Sequence, residues 1–213
     1  HHMRRMEESQ PKKQRVVRSI GTHSGTFHCD EALACFLLHL TTKYANAEIT
    51  RSRDSAILSK MDIVVDVGGV YSIDKQRFDH HQRGFVQTFD KNHETKLSSA
   101  GLVYKHFGLE IIRNVCKCSD EIASVLFLKL YESFIEGIDG IDNGIPQYTT
   151  DVLPNYQIGT DLSSRVSRLN PPWNESGQDI GALFRKAMDL TGSEFLDRLN
   201  YYHKSWLPAR EIV

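Results

Sequence analysis

Three stretches of this 213-residue chain carry side chains able to hold metal ions. "GTHSGTFHCDE" sets His23, His28 and Asp30 on one loop, "VVDVGG" places Asp66 inside an apolar run, and "RFDHHQRGF" lines up Asp79, His80 and His81 between Arg77 and Arg83. Each has an ordinary alternative: a polar surface loop, a core aspartate satisfied by backbone amides, a solvated turn. A carboxylate in a buried strand is costly unless it is paired or bound to a cation, and imidazoles with carboxylates are the ligands such a cation would take. A fourth stretch, "GIDGIDNG", ends a helical pattern with Asp142, where the helix dipole favours cations over carboxylates. A bound cation would remove that penalty, and Asp139, three residues earlier, is the alternative ligand.

The elements that must position these residues follow from periodicity. "RVVRSIG" and "AEITRS" read as strands, "DIVVDVGG" as a buried parallel strand, and "VYSIDKQRFDHH" as a further extended segment. Between them, "DEALACFLLHLTTKY" has helical spacing with Asp30 and Glu31 in its first turn, and "SAILSKM" is a short helix. This alternation predicts an α/β fold, a doubly wound, mostly parallel sheet flanked by helices, with ligands expected at the carboxyl ends of the strands. Beyond it, "SSAGLVYKHFG" predicts a helix capped by Ser98 or Ser99 and closed by Gly108. From Ser119 to Gly144 a long helix is expected, with Ile122, Leu126, Leu130, Phe134 and Ile138 stepping by four. A last helical pattern runs from Ile180 toward Pro208, with Gly192 as a bend.

Composition bounds the rest. A chain that is 40% hydrophobic and 25% charged builds a sizeable core, and a net charge of -1 supplies no global basic field for nucleic acid, so any phosphate must be met locally. Without a leader peptide or a C-x-x-C pair, the four cysteines are expected as reduced thiols. No apolar run reaches the roughly 18 residues of a membrane span. His1-His2-Met3 reads as a tag remnant, and the basic stretch from Arg4 to Arg18 as a disordered lead-in or a nuclear-targeting patch. The expected organisation is therefore a tail over 1–15, a metal-binding catalytic domain over 16–160, and a helical linker over 161–213 leading toward a second domain that is absent or truncated.

"DHH" with an upstream "VVDVG", a histidine and aspartate loop after the first strand and a later "DNG" resembles the DHH phosphoesterase superfamily. Within it, "IGTHSGTFHCDEALA", "DIVVDVGG", "RFDHHQRGF", "KLSSAGLVY", "GIDGIDNGI" and "SSRVSRLNPPWN", in this order, resemble the melanocyte-proliferating-gene exonuclease family. That resemblance implies a divalent-metal-dependent 3′-to-5′ RNA exonuclease of nucleus and mitochondria, with cytoplasm as an alternative. It implies one metal held by His23, His28 and Asp66 and a second by Asp30, Asp66, His80 and Asp142, with Asp66 bridging. Asp79 would orient the neighbouring His80, and His81 would meet the substrate phosphate. The spacing H-x4-H-x-D departs from the superfamily's H-x3-D-x-D, which makes Glu31 a substitute ligand for His28.

Such mixed ligands suit manganese, with magnesium, cobalt or zinc as substitutes. Two ions about 4 Å apart would activate a water without a side-chain nucleophile. Arg83 and Lys96, and on a later helix Arg165 and Arg168, are candidate phosphate contacts or solvated charges, and Trp173 is a base-stacking platform or an apolar plug. The expected partner is RNA or a short oligonucleotide. The rival readings are a phosphohydrolase for pyrophosphate or short oligonucleotides, and a noncatalytic metal-stabilised scaffold. The oligomeric state is left open.

Overall fold

The first strand, β1 (Ser19–Thr22), is followed by α1 (Cys29–His39), β2 (Glu48–Arg51), α2 (Ser55–Leu58), β3 (Ile63–Val65), β4 (Tyr71–Ser72) and β5 (Arg77–Phe78). These belong to a computed structural model that describes residues 16–213; the tag remnant and the basic tail through residue 15 lie outside the described residues. The strands form one sheet in the order β2-β1-β3-β5-β4, parallel throughout except for the antiparallel β4–β5 pair at one edge. Parallel neighbours need a crossover, and α1 and α2 supply the first two. The fold is α/β with a mostly parallel sheet.

Alternation along the strands divides the two faces. Ile20, Ile63, Val65 and Phe78 turn into the helical core, whereas Gly21 and Val64 face the α2 side. Gly21 is required there, because a Cβ would stand 2.9 Å from Met61 Cγ and 3.0 Å from Leu58 Cδ2. The stretch from Val70 to His81 is not one extended segment. It folds back as the β4–β5 hairpin, closed by a turn in which the Gln76 amide donates to Ile73 O and Gln76 takes a φ of 52°.

The helical layer comprises α3 (Ser99–Cys116), α4 (Asp120–Leu130), α5 (Glu136–Asp142), α6 (Leu162–Ser167) and α7 (Ile180–Tyr201). A π-helical turn, Tyr131–Ile135, joins α4 to α5, and another, Tyr202–Trp206, follows α7. Ser98 caps α3, but Gly108 does not end it. The helix continues to Cys116 and stops at Lys117, whose left-handed backbone turns the chain. Gly108 instead gives close approach to α4, since a Cβ would lie 2.6 Å from Phe127 Cε2. Gly192 has a similar role rather than that of a bend: the ring of Phe36 packs directly on the α7 backbone there.

α1 lies between α3 and α7. Leu33, Leu37 and Leu38 of α1, Ile111 and Ile112 of α3, and Phe184, Ala187, Met188, Phe195 and Leu199 of α7 share one buried cluster. Each large side chain buried in this way contributes about 1.5–3 kcal/mol. The segment beyond residue 161 is therefore packed into the core that holds the sheet, not extended away from it as a linker. No helix among the described residues is long and apolar enough to cross a membrane.

Candidate metal centre

At the carboxyl end of β3 the chain makes an unusual turn. The Asp66 amide donates to Phe78 O at 3.1 Å, extending the β3–β5 ladder, while its φ of 59° lies in the left-handed region. That conformation costs a residue with a Cβ about 1–2 kcal/mol, though aspartate tolerates it better than most. Gly68 and Gly69 continue the turn with φ of 98° and 67°. The result places the Asp66 carboxylate between two imidazoles: Oδ2 is 3.2 Å from His23 Nε2, and Oδ1 is 3.1 Å from His80 Nε2.

Two lobes meet at Asp66. On the β1–α1 loop side, His23 Nε2 also stands 3.1 Å from Glu31 Oε1. His23, His28 and Glu31 form one group whose ligand atoms lie within 4.8 Å of one another, with His28 exposed at its rim. On the other side His80 Nε2 is 3.2 Å from Asp142 Oδ2 and 3.9 Å from Asp30 Oδ2. Asp30, Glu31 and Asp66 form a further such group across the middle. The structure thus brings together His23, Asp30, Asp66, His80 and Asp142, adds the buried Glu31, and leaves His28 at the margin. Asp139 is not among them. Its carboxylate accepts from Ser98 N (2.9 Å), Ser98 Oγ (2.6 Å) and Tyr131 OH (3.3 Å), which ties α5 to the start of α3.

The DHH triplet divides its tasks differently from the expectation. Asp79 makes no hydrogen bond to the His80 ring among the described residues, although Asp66, Asp79, His80 and His81 form a group whose ligand atoms lie within 4.8 Å of one another. Its Oδ2 accepts from Gly69 N at 2.6 Å, and its Oδ1 accepts from His80 N at 2.8 Å and from His81 Nδ1 at 2.7 Å. The ring it orients is therefore that of His81. The His80 ring is oriented by Asn143, whose Oδ1 is 3.2 Å from His80 Nδ1 while its Nδ2 donates to Lys96 O and Asp139 O, each at 2.9 Å. His23 is held in the same sense, with Nδ1 donating to Ser24 O at 3.1 Å. Both rings thus turn Nε2 toward the carboxylates, the arrangement in which a second partner fixes the tautomer of a ligating histidine.

Other supporting residues were legible only as helix caps or loop charges. Ser99 donates to Asp30 Oδ2 through its Oγ at 2.6 Å and its amide at 3.3 Å, so the first turn of α3 faces the centre with its positive end. A Cβ on Gly101 would overlap the Asp139 carboxylate, which is why a glycine stands there. The Arg53 guanidinium lies 3.3 Å from His23 Nδ1 and donates to Ser24 O. Lys96 Nζ sits over the Phe85 ring, which meets the His80 ring edge-on. Arg83 is exposed beside the triplet. Arg165 pairs with Glu194 at 2.8 Å and Arg168 donates to Gly159 O, so neither guanidinium is directed at the centre. Trp173 is 97% exposed and plugs nothing.

The charge balance is incomplete. Burial and the neighbouring Asp66 raise Asp30 above the ordinary carboxylate range. Burial pushes Glu31 up to about 8, and burial together with Asp30 pushes Asp142 up to about 10. Asp66 goes the other way: burial opposes its charge, but hydrogen bonds from His23 and His80 outweigh burial and hold it well below the usual value. Burial likewise opposes the His23 imidazolium, yet Asp66 and Glu31 carry it up to about 10. Asp30 Oδ1 and Glu31 Oε2 are buried without a hydrogen-bond partner among the described residues. Such orphaned oxygens are expensive unless something cationic reaches them. The donor set of two imidazoles and four carboxylates therefore fits divalent cations.

A family model described as an uncharacterised protein family (UPF0160), that of the MYG1 exonucleases, matches residues 19–213. The MYG1 protein of Dictyostelium discoideum is 53% identical over 197 residues, covering 92% of this chain and 60% of the relative. The MYG1 exonuclease of Mus musculus is 54% identical over 201 residues, and that of Homo sapiens 52% over 201, each alignment covering 91% of this chain and 53% of the relative. The chain thus spans between about half and three fifths of the length of these relatives. No solved structure matches it. On the match to residues 19–213 and these identities, the chain belongs to the MYG1 family.

Proposed function

We propose that this chain carries the metal-dependent catalytic centre of a DHH-type phosphodiesterase, a 3′-to-5′ RNA exonuclease of nucleus and mitochondria. The observation that carries this reading is Asp66, one oxygen on the His23 side and the other on the His80 side, inside a buried surplus of carboxylates. His23, Glu31 and Asp66, with His28 at the rim, would hold one ion. Asp30, Asp66, His80 and Asp142 would hold the other. Manganese suits these mixed ligands best, with magnesium, cobalt and zinc as substitutes. Such a pair, when bound, lowers the pKa of a coordinated water and neutralises charge on a phosphate.

The chain's own residues do the rest. His81 is 62% exposed at its side chain, and Asp79 bonds its Nδ1, raises its pKa and leaves Nε2 directed outward with a proton to offer a phosphate oxygen or a departing ribose oxygen. Asp79 is itself kept ionised despite burial by its bond to His81 and by the Gly69 and His80 amides. Lys96 supplies a second local cation, with Arg83 available at the rim. The names of the mouse and human relatives, exonucleases both, support a nucleic-acid substrate.

The test is release of mononucleotides from RNA labelled at its 3′ or its 5′ end, with manganese and with a chelator, using a protein of the relatives' full length. Manganese-dependent loss of the 3′ label first supports the proposal. Intact RNA alongside hydrolysed pyrophosphate overturns it in favour of a small-substrate phosphohydrolase. Asp66→Asn keeps a residue tolerant of the left-handed backbone, so it should stay folded and lose turnover.

A further inference from the structure

Beside the metal centre lies a slot of about 940 Å³ that the proposed chemistry does not use. It exists because α7 packs on α1 and stands away from β2, the edge strand of the sheet. Ala47 and Ile49 of β2 and its approach form the floor, and Phe184 and Met188 of α7 form the roof. Its inner end is closed by Arg51 and by Gly25 of the loop that carries His23.

Two features make this slot selective. The Arg51 side chain lies over Phe184, with its guanidinium carbon 4.6 Å from the ring centroid, and its Nη2 donates to Gly25 O at 2.7 Å. Its Nε is buried, so the outer nitrogens of the guanidinium are the ones a ligand in the slot can meet. Along the side of the slot, Glu48 N donates to Arg18 O and Ser52 N to Thr22 O, so the strand's alternation turns the Ile49 and Arg51 amides away from β1, toward the open edge. Apolar side chains on two walls, a flat guanidinium at the inner end and main-chain donors along the strand edge fit a planar heterocycle with polar edge atoms. A peptide strand fits less well, because β2 is only four residues long and carries Glu48 and Arg51, the features that discourage edge pairing.

We propose that the slot between β2 and α7 binds a nucleobase, with the Arg51 guanidinium at its inner end donating to a ring nitrogen or carbonyl oxygen and Phe184 and Ile49 enclosing the ring. The choice of nucleobase among planar heterocycles rests on the nucleic-acid reading of the metal centre; the slot itself does not. Because Gly25 and Ser24 belong to the loop that carries His23, a base seated here would lie one loop away from the candidate ligands.

Adenosine, which has no phosphate to engage a metal, is the probe, titrated into the chain loaded with diamagnetic magnesium and followed by backbone amide NMR shifts. Saturable shifts confined to Gly25, Ile49, Arg51 and Gly181 are expected. A Cβ on Gly181 would stand 3.3 Å from Asp179 Oδ1, a tight contact that a small shift of that carboxylate relieves, and a side chain there fills the slot while favouring the helix. Gly181→Phe and, separately, Arg51→Met should each weaken binding by about tenfold or more. Should Arg51→Met fail to fold, Gly181→Phe decides alone. Asp66→Asn, expected to be inactive, should bind adenosine as the unaltered chain does, which separates failure of the slot from failure of the nuclease reading. The proposal is overturned if no shift saturates below about 5 mM, if the shifts centre on His23 and His80, or if Gly181→Phe binds equally well.

Discussion

Asn143 Oδ1 stands 3.2 Å from His80 Nδ1, and the amide cannot turn over, because its Nδ2 is already donated to the carbonyls of Lys96 and Asp139. With a cation bound, the His80 proton would stay on Nδ1, and Nε2, where Asp66 and Asp142 converge, would offer its lone pair. One side-chain amide at a helix end thus sets which nitrogen of the histidine after β5 is able to bind a cation.

Replacing Asn143 with alanine should therefore lower affinity for manganese by about tenfold to a hundredfold, the range for losing a group that orients a ligand. Calorimetric titration of the two proteins measures it. A parallel readout is the rise in melting temperature on adding manganese, which should be large for the unaltered chain, given the orphaned Asp30 and Glu31 oxygens, and smaller for Asn143→Ala. Equal affinities would remove Asn143 from the site.

Asp139 offers a pH test away from the candidate ligands. Burial pushes it up to about 7 even though Ser98 and Tyr131 donate to it and pull the other way. A carboxyl raised in the folded state from an unfolded value of 3.8 contributes stability that is complete below 3.8 and is lost as pH rises through 7. Urea unfolding from pH 4 to 8 should show stability falling across that window. In Asp139→Asn the fall should shrink by an amount on the order of a few kcal/mol. An unchanged slope would mean the carboxyl is ionised throughout.

Gly108→Ala tests the packing of α3 on α4. Helix propensity alone predicts a gain of about 1 kcal/mol. The new methyl, 2.6 Å from Phe127 Cε2 and 3.0 Å from Tyr104 Cε2, should instead cost about 1–3 kcal/mol through displaced rings, giving a net loss. Chemical denaturation decides the sign.

Much of this was legible in the chain itself. Period-two and helical patterns locate β1, α1, β2 and β3, and the cost of burying Asp66 points to the centre. What periodicity could not show was where the chain reverses within an element. The turn at Gln76 has no glycine to announce it, and its left-handed φ is imposed by the β4–β5 pairing. Gly108 and Gly192 look like helix breakers because a sequence does not show which ring will press on them. Asn143 and Ser99 were readable as a helix end and a cap. Their partners lie 63 and 69 residues away, a relation only the folded chain displays.

The strict step of four from Ile122 to Ile138 did carry a further message. A helix of 3.6 residues per turn drifts about 40° with each such step, and the wider turn at Tyr131–Ile135 takes up the excess. That turn acts as a phase adjuster, in effect one additional residue relative to a straight helix, between α4 and the α5 helix on which Asp139 meets Ser98 and Asp142 meets His80. Excising Gly140 or Ile141, within α5, would leave every candidate ligand in the sequence and rotate Asp142 by about 100° relative to the Asp139 anchor. In this chain, then, the count of residues between Asp139 and Asp142 is as much a part of the centre as the aspartate itself.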